Sequence, residues 1–357
     1  MSARLLVMGA GTTAASNLIR GLRTGDRSLV IVGCHPDRFA LAKSTADRNY
    51  LTPAVTDRGF LRALARVIRR ERVDLLIPTT DTEVAVIARH SARVPCRTFL
   101  PRRSVVELCQ DKYRLNRHLR ARGVPAPLTF PVTSLRTLGR AFRRLPVRGL
   151  TWCRIRVGSG SMGAIPVRTV AQARSWIEYW RDMRDVPAAA FTLSEYLPGR
   201  DFSCLALWRE GTPILATTLE RLSYVASGAN PSGISSVAHL AKTVYEPRVV
   251  ETCARAVRAL DPRASGTFNC DLRENADGTA CITEINAGRL PSGLLLHDLT
   301  GKHSVSATFV RLALGEPVEL RDEYDADEGW YGVRDLDTPM GVFHVDALFD
   351  RIQDARG

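Results

Sequence analysis

The chain has 357 residues and a mass of 39.4 kDa, which suits two or three packed domains rather than one small module. A content of 45% hydrophobic and 24% charged residues excludes a disordered, collagen-like or fibrous protein. The net charge of +13 comes mostly from arginines scattered along the chain, a pattern that favours small anionic ligands over nucleic acid.

The cysteines and the hydropathy pattern predict the compartment in which the protein works. The eight cysteines are widely spaced and none forms a C-x-x-C pair, so we expect reduced thiols rather than disulfides or zinc ligands. No segment reaches the roughly 18 apolar residues of a membrane helix, and residues 1–9 resemble a strand rather than a signal peptide. We therefore expect a cytoplasmic protein without a membrane partner.

Residues 1–103 predict a doubly wound α/β domain with a parallel sheet. Apolar runs at residues 5–8, 28–34 and 74–78 have the length of buried strands, and segments with helical apolar spacing alternate with them. Such alternation places helices on both faces of a parallel sheet. Ligands of these folds bind at the carboxyl edge of the sheet.

Two motifs follow strands at that edge. Residues 9–14 (GAGTTA) fit the pattern G-x-G-x-x-A, which is compatible with pyrophosphate binding in an NAD(P)-dependent oxidoreductase or with a tight turn alone. The second strand ends in Cys34-His35, where a dinucleotide site needs an acidic residue, and this counts against the oxidoreductase. Residues 78–83 (PTTDTE) are interpreted either as a helix N-cap or as ligand-binding groups.

The middle of the chain contains two features suited to phosphates. Asp111 and Lys112 open an amphipathic helix. Further on, a strand at residues 150–157 enters the loop 158–163 (GSGSMG), and residues 164–168 predict the returning strand. The loop amides and serine hydroxyls would wrap phosphate oxygens, although a linker without a ligand is the alternative. The strand that follows the loop distinguishes it from a Walker P-loop.

A second polar turn is predicted between strands over residues 191–197 and 202–208. Glu195 and Asp201 lie at this turn, where backbone groups would meet a purine edge and carboxylates would meet ribose hydroxyls. Taken alone, the segment is equally compatible with a plain polar turn.

The strongest local signal is a hairpin. Residues 266–274 and 279–285 are β-rich, and the dipeptide Asp277-Gly278 predicts a two-residue type I′ turn between them. Because side chains alternate between faces, this register aligns four polar residues on one face. The pairs are Asp271 with Glu284 and Asn269 with Asn286.

Two carboxylates directly opposite each other destabilise a sheet unless a cation lies between them. Carboxylate and amide oxygens are hard ligands that suit Mg²⁺, which keeps water and binds substrate phosphates. The alternative is a solvated polar face neutralised by Arg273 or Arg289. The hairpin therefore predicts either a magnesium site or an arginine-neutralised surface.

Taken in order, these segments resemble the ATP-grasp superfamily, close to its carboxylate-amine ligases and to carbamoyl-phosphate-synthase-like proteins. The resemblance is carried by Asp111-Lys112, the GSGSMG loop, Glu195-Tyr196-Leu197-Pro198-Gly199 and Thr283-Glu284-Ile285-Asn286. It covers nearly the whole chain and implies a Rossmann-like domain at 1–103, a two-lobed ATP-grasp domain at 104–320 and a C-terminal segment at 321–357. The lid subdomain of the ATP-grasp domain is expected at about 128–197.

The resemblance implies a role for each matching position. ATP would be bound by Lys112, Arg154, Gly158, Ser159, Gly160, Ser161, Gly163, Glu195, Leu197 and Asp201. Magnesium, with two ions expected, would be bound by Asp271, Glu284 and Asn286. Arg289 resembles the arginine that steadies the transferring phosphoryl group or binds the substrate carboxylate, and Arg221 is a second candidate for that carboxylate.

The chain departs from the family pattern at two positions. Arg154 replaces the second lysine, which keeps the positive charge but presents a planar fork instead of a compact ammonium. The sequence from Asn286 to Arg289 (NAGR) differs from the usual Asn-Pro-Arg. These departures leave a nucleotide-binding relic without ligase activity as an alternative.

The activity implied is ATP-dependent ligation of a small-molecule acid to a small-molecule amine. The acid attacks the γ-phosphorus, and the amine then displaces phosphate from the acyl phosphate to give an amide, so that Arg154 and Arg289 are the catalytic candidates. His239 and His297 are candidate proton acceptors, although a lone histidine is more often structural. We expect no nucleic-acid partner, and a homodimer is the candidate assembly.

Overall fold

The described part of the chain is built on three β-sheets. The computed structural model describes residues 2–25, 28–145, 149–233, 235, 237–320, 324–325, 328–334 and 352–356. Two sheets in this part of the chain have six strands and one has four. Within these residues, no helix combines the length and the apolar character that a membrane span requires.

The N-terminal sheet is parallel, as its continuous apolar strands predict. Its first five strands are β1 (Arg4–Met8), β2 (Val30–His35), β3 (Arg48–Leu51), β4 (Leu75–Ile77) and β5 (Arg97–Thr98). The helices between them are α1 (Thr13–Gly25), α2 (Arg38–Ala42), α3 (Phe60–Glu71) and α4 (Asp81–Arg89). Leu5 and Val7 face a core with α1, whereas Leu6 and Met8 face a core with α3. Helices thus cover both faces, and the doubly wound prediction is confirmed.

A buried carboxylate ties α3 to two strands of this sheet. The Glu71 Oε2 atom accepts hydrogen bonds from Arg4 at 2.7 Å and Arg48 at 2.9 Å, and Oε1 accepts one from the Tyr50 hydroxyl. Burial raises the pKa of Glu71, but the bonds from Tyr50 and the two arginines outweigh it and hold the pKa below its usual value. The ionised carboxylate therefore stabilises the fold above its unfolded-state pKa, and this contribution is lost as the pH falls through the folded-state pKa.

We expect Glu71→Gln to lower the free energy of unfolding by about 1–3 kcal/mol at pH 7, because one charged acceptor serves three donors. The difference from the parent protein should shrink below pH of about 4, where the parent carboxylate also becomes protonated. Urea unfolding of both proteins at pH 7 and at a pH below about 4 measures this difference in the free energy of unfolding. The control is Glu107→Gln, which removes a surface partner of Arg103 and should leave unfolding unchanged. Equal effects at both pH values would contradict the prediction.

The second sheet is antiparallel and carries the glycine loop. Its strands are β6 (Thr129–Pro131), β7 (Thr151–Ile155), β8 (Ile165–Val167) and β9 (Phe191–Glu195), in the order β6-β9-β7-β8. The helices α5 (Arg103–Cys109) and α6 (Lys112–Arg120) precede it, and α7 (Leu138–Arg144) and α8 (Val170–Arg184) share its apolar core. Because β7 pairs antiparallel with β8, the predicted strand-loop-strand arrangement around residues 158–163 is confirmed.

The third sheet is antiparallel and contains the predicted hairpin. Its strands are β10 (Asp201–Arg209), β11 (Thr212–Tyr224), β12 (Ala238–Thr243), β13 (Gly266–Glu274), β14 (Ala280–Ala287) and β15 (Tyr331–Val333). Their order is β14-β13-β10-β11-β12-β15. One face packs against α9 (Pro247–Leu260). The other joins the core of α1 together with α10 (Leu294–Thr300) and α11 (Val305–Leu314).

The C-terminal segment 321–357 adds strands to two of these sheets. Its strand β15 pairs with β12, and β16 (Ile352–Asp354) pairs in parallel with β3 at the edge of the N-terminal sheet. Residues 321–323, 326–327, 335–351 and 357 of the predicted segment lie outside the described residues. The described part of the segment thus contributes one strand to the first sheet and one to the third.

Candidate active site

A cavity of about 830 Å³ brings the predicted site residues together. Its lining comes from the loops of the N-terminal sheet, the glycine loop of the second sheet and one face of the third sheet. Every residue assigned to ATP, magnesium or substrate, except Gly163, contributes to this lining. They are Lys112, Arg154, Gly158, Ser159, Gly160, Ser161, Glu195, Leu197, Asp201, Arg221, Asp271, Glu284, Asn286 and Arg289.

The hairpin has the predicted pairing but not the predicted turn. Asp271 pairs with Glu284 and Asn269 with Asn286, as expected, and all four residues line the cavity. The two-residue turn is wrong, because the loop spans the three residues 276–278. A β-bulge between Asp271 and Leu272 then restores the expected register.

The side chain of Asn275 accounts for the longer turn. Its Oδ1 atom accepts hydrogen bonds from the backbone amides of Asp277 at 3.0 Å and Thr279 at 2.9 Å. Such a local bond stabilises the chain in an Asx turn. Gly278 then follows with a φ of +75°, which is the left-handed residue that a three-residue hairpin requires.

Each of the two paired carboxylates has its own cation. Arg221 Nη1 lies 3.2 Å from Asp271 Oδ1, and Lys112 Nζ lies 3.6 Å from Glu284 Oε2. Burial raises the pKa of Asp271, Arg221 opposes that shift, and Glu284 adds to it. The predicted alternative named Arg273 or Arg289 as the neutralising residue. The direct ion pairs come from Arg221 and Lys112, while the charge of Arg289 also lowers the pKa of Asp271.

The donor set on this face fits magnesium bound together with a polyphosphate. Asp271, Glu284 and Asn286 supply carboxylate and amide oxygens, which are hard ligands. No cluster of three His, Cys, Asp or Glu side chains suited to a metal occurs among the described residues, so the remaining ligands would be phosphate oxygens and water. Among the described residues, seven lysines or arginines and five acidic residues line the cavity, and an anionic nucleotide would offset this excess of positive charge.

Lys112 begins α6 and extends toward the glycine loop. The carboxylate of Asp111 caps this helix by accepting a bond from the Arg114 amide at 3.0 Å. The Lys112 ammonium is buried and donates to the Gly158 carbonyl at 2.5 Å. Burial lowers the pKa of Lys112, while Glu284 raises it. The ammonium is thus held between the loop and the paired carboxylates.

Arg154 projects from β7 toward the same carboxylate. Its Nη2 atom donates to the Thr283 carbonyl at 2.8 Å, and Nη1 lies 3.8 Å from Glu284 Oε2. Burial lowers the pKa of Arg154. Its buried Nε–H has no hydrogen-bond partner among the described residues. A buried donor without a partner costs free energy, so this nitrogen is a locally unfavourable feature of the site.

The glycine loop has several residues in the left-handed region. Positive φ values occur at Gly158, Gly160, Ser161 and Gly163. A Cβ atom at Gly163 would lie 2.7 Å from Ile155 Cγ1, whereas at Gly160 nothing lies within 4 Å. Gly163 is therefore needed for close packing of the loop base on β7, while Gly160 is needed only for its backbone conformation.

We expect Gly163→Ala to weaken ADP binding about tenfold more than Gly160→Ala. Both substitutions carry the strain of roughly 1 kcal/mol for alanine at positive φ, but only the first collides with the buried Ile155 side chain. Calorimetric titration with MgADP measures the difference, and thermal unfolding of both variants serves as the control for global damage. Equal affinities for the two variants would contradict the predicted role of Gly163.

The predicted nucleotide linker is held by specific bonds. Glu195 accepts a bond from the Leu128 amide at 3.2 Å through Oε2, and its own amide donates to the Leu128 carbonyl at 2.9 Å. Leu197 is buried beside it. Trp152 and Tyr196, whose ring centroids are 6.3 Å apart, also line the cavity. Sequence reasoning missed both aromatic residues, which lie within a predicted strand and the linker motif.

Asp201 and Arg221 are bonded to each other instead of standing free. Arg221 Nε donates to Asp201 Oδ1 at 2.7 Å, and the Tyr224 hydroxyl donates to Asp201 Oδ2 at 2.6 Å. Arg221 also donates to the Phe202 carbonyl and pairs with Asp271. These bonds indicate that Asp201 and Arg221 hold Asp271 in position. They favour this role more than the predicted contacts with ribose and with the substrate carboxylate. The bond from Tyr224 to Asp201 was not predicted.

The N-terminal domain contributes Asp81 to the site. The motif at residues 78–83 forms a capping box between Thr80 and Glu83, so the N-cap interpretation is confirmed. Asp81 in the same motif accepts bonds from Arg289 at 2.6 and 3.2 Å, while Arg289 Nη2 donates to Asn286 Oδ1 at 2.6 Å. The motif therefore both caps α4 and holds Arg289 beside a proposed metal ligand.

The GAGTTA motif forms a tight turn. Gly11 has a φ of +87°, and a Cβ atom there would lie 1.8 Å from the Ala40 carbonyl oxygen of α2. This glycine is thus required for packing against α2. Thr12 and Thr13 nevertheless line the cavity.

The two candidate proton acceptors are both hydrogen-bonded. His297 on α10 is buried, its Nδ1 lies 2.9 Å from Thr217 Oγ1, and burial lowers its pKa to about 4. His239 Nδ1 lies 2.5 Å from the Arg334 carbonyl oxygen. His297 lines the cavity as a neutral side chain near pH 7. His239 does not line the cavity.

Comparison with known proteins supports the resemblance. A model of the PylC-like N-terminal domain family matches residues 5–96, and no curated protein matches the chain in sequence. An L-amino acid ligase from Bacillus licheniformis is 12% identical with a TM-score of 0.68, over 89% of this chain and 75% of that one.

Two similar structures contain ADP. The biotin carboxylase domain dimer of 2-oxoglutarate carboxylase from Hydrogenobacter thermophilus, with MgADP, ADP and bicarbonate, is 15% identical with a TM-score of 0.71, over 93% of this chain and 73% of that one. An N5-carboxyaminoimidazole synthase from Aspergillus clavatus, with ADP and a ribonucleotide, is 15% identical with a TM-score of 0.67. The match covers 91% of this chain and 80% of that one. These proteins are ATP-grasp carboxylate-amine ligases. The chain therefore has the ATP-grasp fold, and its residues 5–96 match the model of the PylC-like N-terminal domain family.

Proposed function

We propose that the protein is an ATP-dependent carboxylate-amine ligase, which activates a small acid as an acyl phosphate, joins it to an amine and releases ADP and phosphate. The observation that carries the proposal is one cavity in which the paired carboxylates Asp271 and Glu284 face Lys112, Arg154 and the glycine loop. The ligases with similar folds support it, as do the nucleotides in two of those structures.

The residues of the hairpin would hold the cation. Asp271, Glu284 and Asn286 would bind Mg²⁺, and we propose two ions, as the family resemblance implies. Bound Mg²⁺ supplies neutralisation of negative charge on the phosphates of ATP. Arg221 positions Asp271 from the side, through its 3.2 Å ion pair.

The remaining residues orient the reacting groups. Lys112, Arg154 and the loop amides are placed to hold the γ-phosphate, so that catalysis is mainly positioning and charge stabilisation. Arg289, which Asp81 holds in a forked ion pair, is placed to receive the carboxylate of the acid or the transferring phosphoryl group. Closure of the glycine loop over the cavity would exclude water from the acyl phosphate.

Trapping of the activated acid tests the proposal. The protein is incubated with ATP, Mg²⁺ and a panel of carboxylic acids, first with hydroxylamine and then with amines, while ADP, phosphate and hydroxamate are measured. We expect ADP formation that depends on the acid, with hydroxamate formed in equal amount. Tight binding of MgADP without acid-dependent turnover would instead support the nucleotide-binding relic. Binding of a nicotinamide cofactor would support the oxidoreductase.

We propose a Rossmann-like domain at residues 1–103, an ATP-grasp domain at 104–320 and a homodimer in the cytoplasm. Solution scattering and sedimentation of the full chain test the assembly.

A further inference from the structure

One part of the cavity is lined by apolar side chains. Leu295, Leu296 and Leu299 of α10 and Tyr331 and Val333 of β15 all contribute to the lining, and we call these five residues the apolar wall. Leu299 is 61% exposed, Tyr331 60% and Val333 70%. Large apolar side chains left exposed inside a concave site indicate a ligand that covers them.

The apolar wall is held in place by close packing. A Cβ atom at Gly332 would lie 2.8 Å from Leu296 Cδ2, so glycine lets β15 approach α10 directly. The strand is also paired with β12, where Ala241 lies opposite Gly332. The turn before α10 is fixed because Asn17 of α1 donates to the Ser292 carbonyl at 2.8 Å. The wall is thus a preformed surface of the cavity.

The charged side chains near the apolar wall are cationic. Among the described residues that line the cavity, α1, α10 and β15 supply no acidic side chain, whereas Arg20 of α1 and Arg334 after β15 are both cationic. Asp81 also lines the cavity, but both of its oxygens accept bonds from Arg289. His297 is buried and neutral. An ammonium group placed here would meet positive charge and no free carboxylate on these elements.

We propose that the apolar wall binds the body of the acid substrate, so that the protein selects carboxylic acids with an uncharged aliphatic or aromatic body. This inference rests on the proposed function. The carboxylate of such an acid would point to Arg289, and its body would cover the exposed faces of Leu299, Tyr331 and Val333. Burial of apolar area drives the selection against short acids, and repulsion by the cationic Arg20 drives it against acids with an ammonium group.

Three acids of matched chemistry test the inference. Acetate, hexanoate and 6-aminohexanoate are titrated separately into the protein with saturating MgADP, and binding is measured by calorimetry. We expect hexanoate to bind at least about tenfold more tightly than acetate or 6-aminohexanoate. Equal binding of hexanoate and either competitor overturns the inference, as does the absence of binding by all three.

A matched pair of variants tests whether the apolar wall causes the preference for hexanoate. Leu299→Glu places a charge on the apolar wall, whereas Met183→Glu on α8 does so at a site with a similar exposure of 66% outside the cavity lining. We expect only Leu299→Glu to weaken hexanoate binding, by about tenfold, and neither variant to change MgADP affinity. An unchanged hexanoate affinity in Leu299→Glu overturns the assignment to this wall.

The failure of this inference is distinguishable from the failure of the proposed function. Preferential hexanoate binding without ADP formation by any acid and amine would contradict the ligase while the wall assignment stands. Acid-dependent ADP formation with no preference for hexanoate would support the ligase and contradict the wall assignment.

Discussion

Replacing Glu284 by glutamine is expected to reduce kcat for acid-dependent ADP formation by about 10²–10³-fold. The substitution removes one proposed Mg²⁺ ligand charge. It also leaves Lys112, 3.6 Å away, and Arg154, 3.8 Å away, without their shared anion. The Mg²⁺ concentration for half-maximal activity should rise as well. Steady-state kinetics across a magnesium titration measure both effects.

The control for this prediction is Glu246→Gln. Glu246 is similarly accessible and is ion-paired at 2.6 Å with Arg200, but it does not line the cavity. Its substitution should leave kcat and the magnesium dependence unchanged, and thermal unfolding of both variants separates a catalytic loss from a folding defect. Retention of full activity by Glu284→Gln would remove Glu284 from the proposed site.

Arg154→Met is expected to lower kcat/KM for ATP by about 10²-fold, whereas Arg154→Lys should retain activity within about tenfold of the parent. Methionine removes the positive charge that faces Glu284 and the proposed phosphate position. Lysine keeps that charge but loses the 2.8 Å bond to the Thr283 carbonyl. Comparing kcat/KM of the parent, Arg154→Lys and Arg154→Met therefore separates the effect of the positive charge from that of the side-chain geometry. ATP-dependent kinetics and MgADP titration measure it.

A neighbouring arginine provides the matched control for this prediction. Arg156 follows the same strand but makes a forked ion pair with Asp111 at 2.6 and 2.7 Å and does not line the cavity. Arg156→Met should lower stability by weakening the start of α6, with a smaller effect on kcat than Arg154→Met. Equal losses in both variants would show that Arg154 acts through the fold and not through the phosphates.

Local patterns predicted the main elements, and the roles of most site residues followed from the family resemblance. The parallel N-terminal sheet follows from short apolar runs, and the glycine loop follows from a strand that enters and leaves GSGSMG. Pairing of Asp271 with Glu284 was predicted from a two-residue turn that does not form. The real three-residue turn shifts the register by one position, and the β-bulge beyond Leu272 shifts it back, so two deviations cancelled.

Contacts between distant segments had no local signal. The Asp81 to Arg289 ion pair joins residues 208 positions apart, and the Asp201, Arg221 and Tyr224 cluster depends on the pairing of β10 with β11. The apolar wall likewise needs β15 to meet α10. Sequence patterns specify which residues can be helical, extended or buried, because these properties arise from neighbours along the chain. Which charges meet in the cavity depends on long-range packing, since each long side chain can pair with any opposite charge that the fold brings within reach.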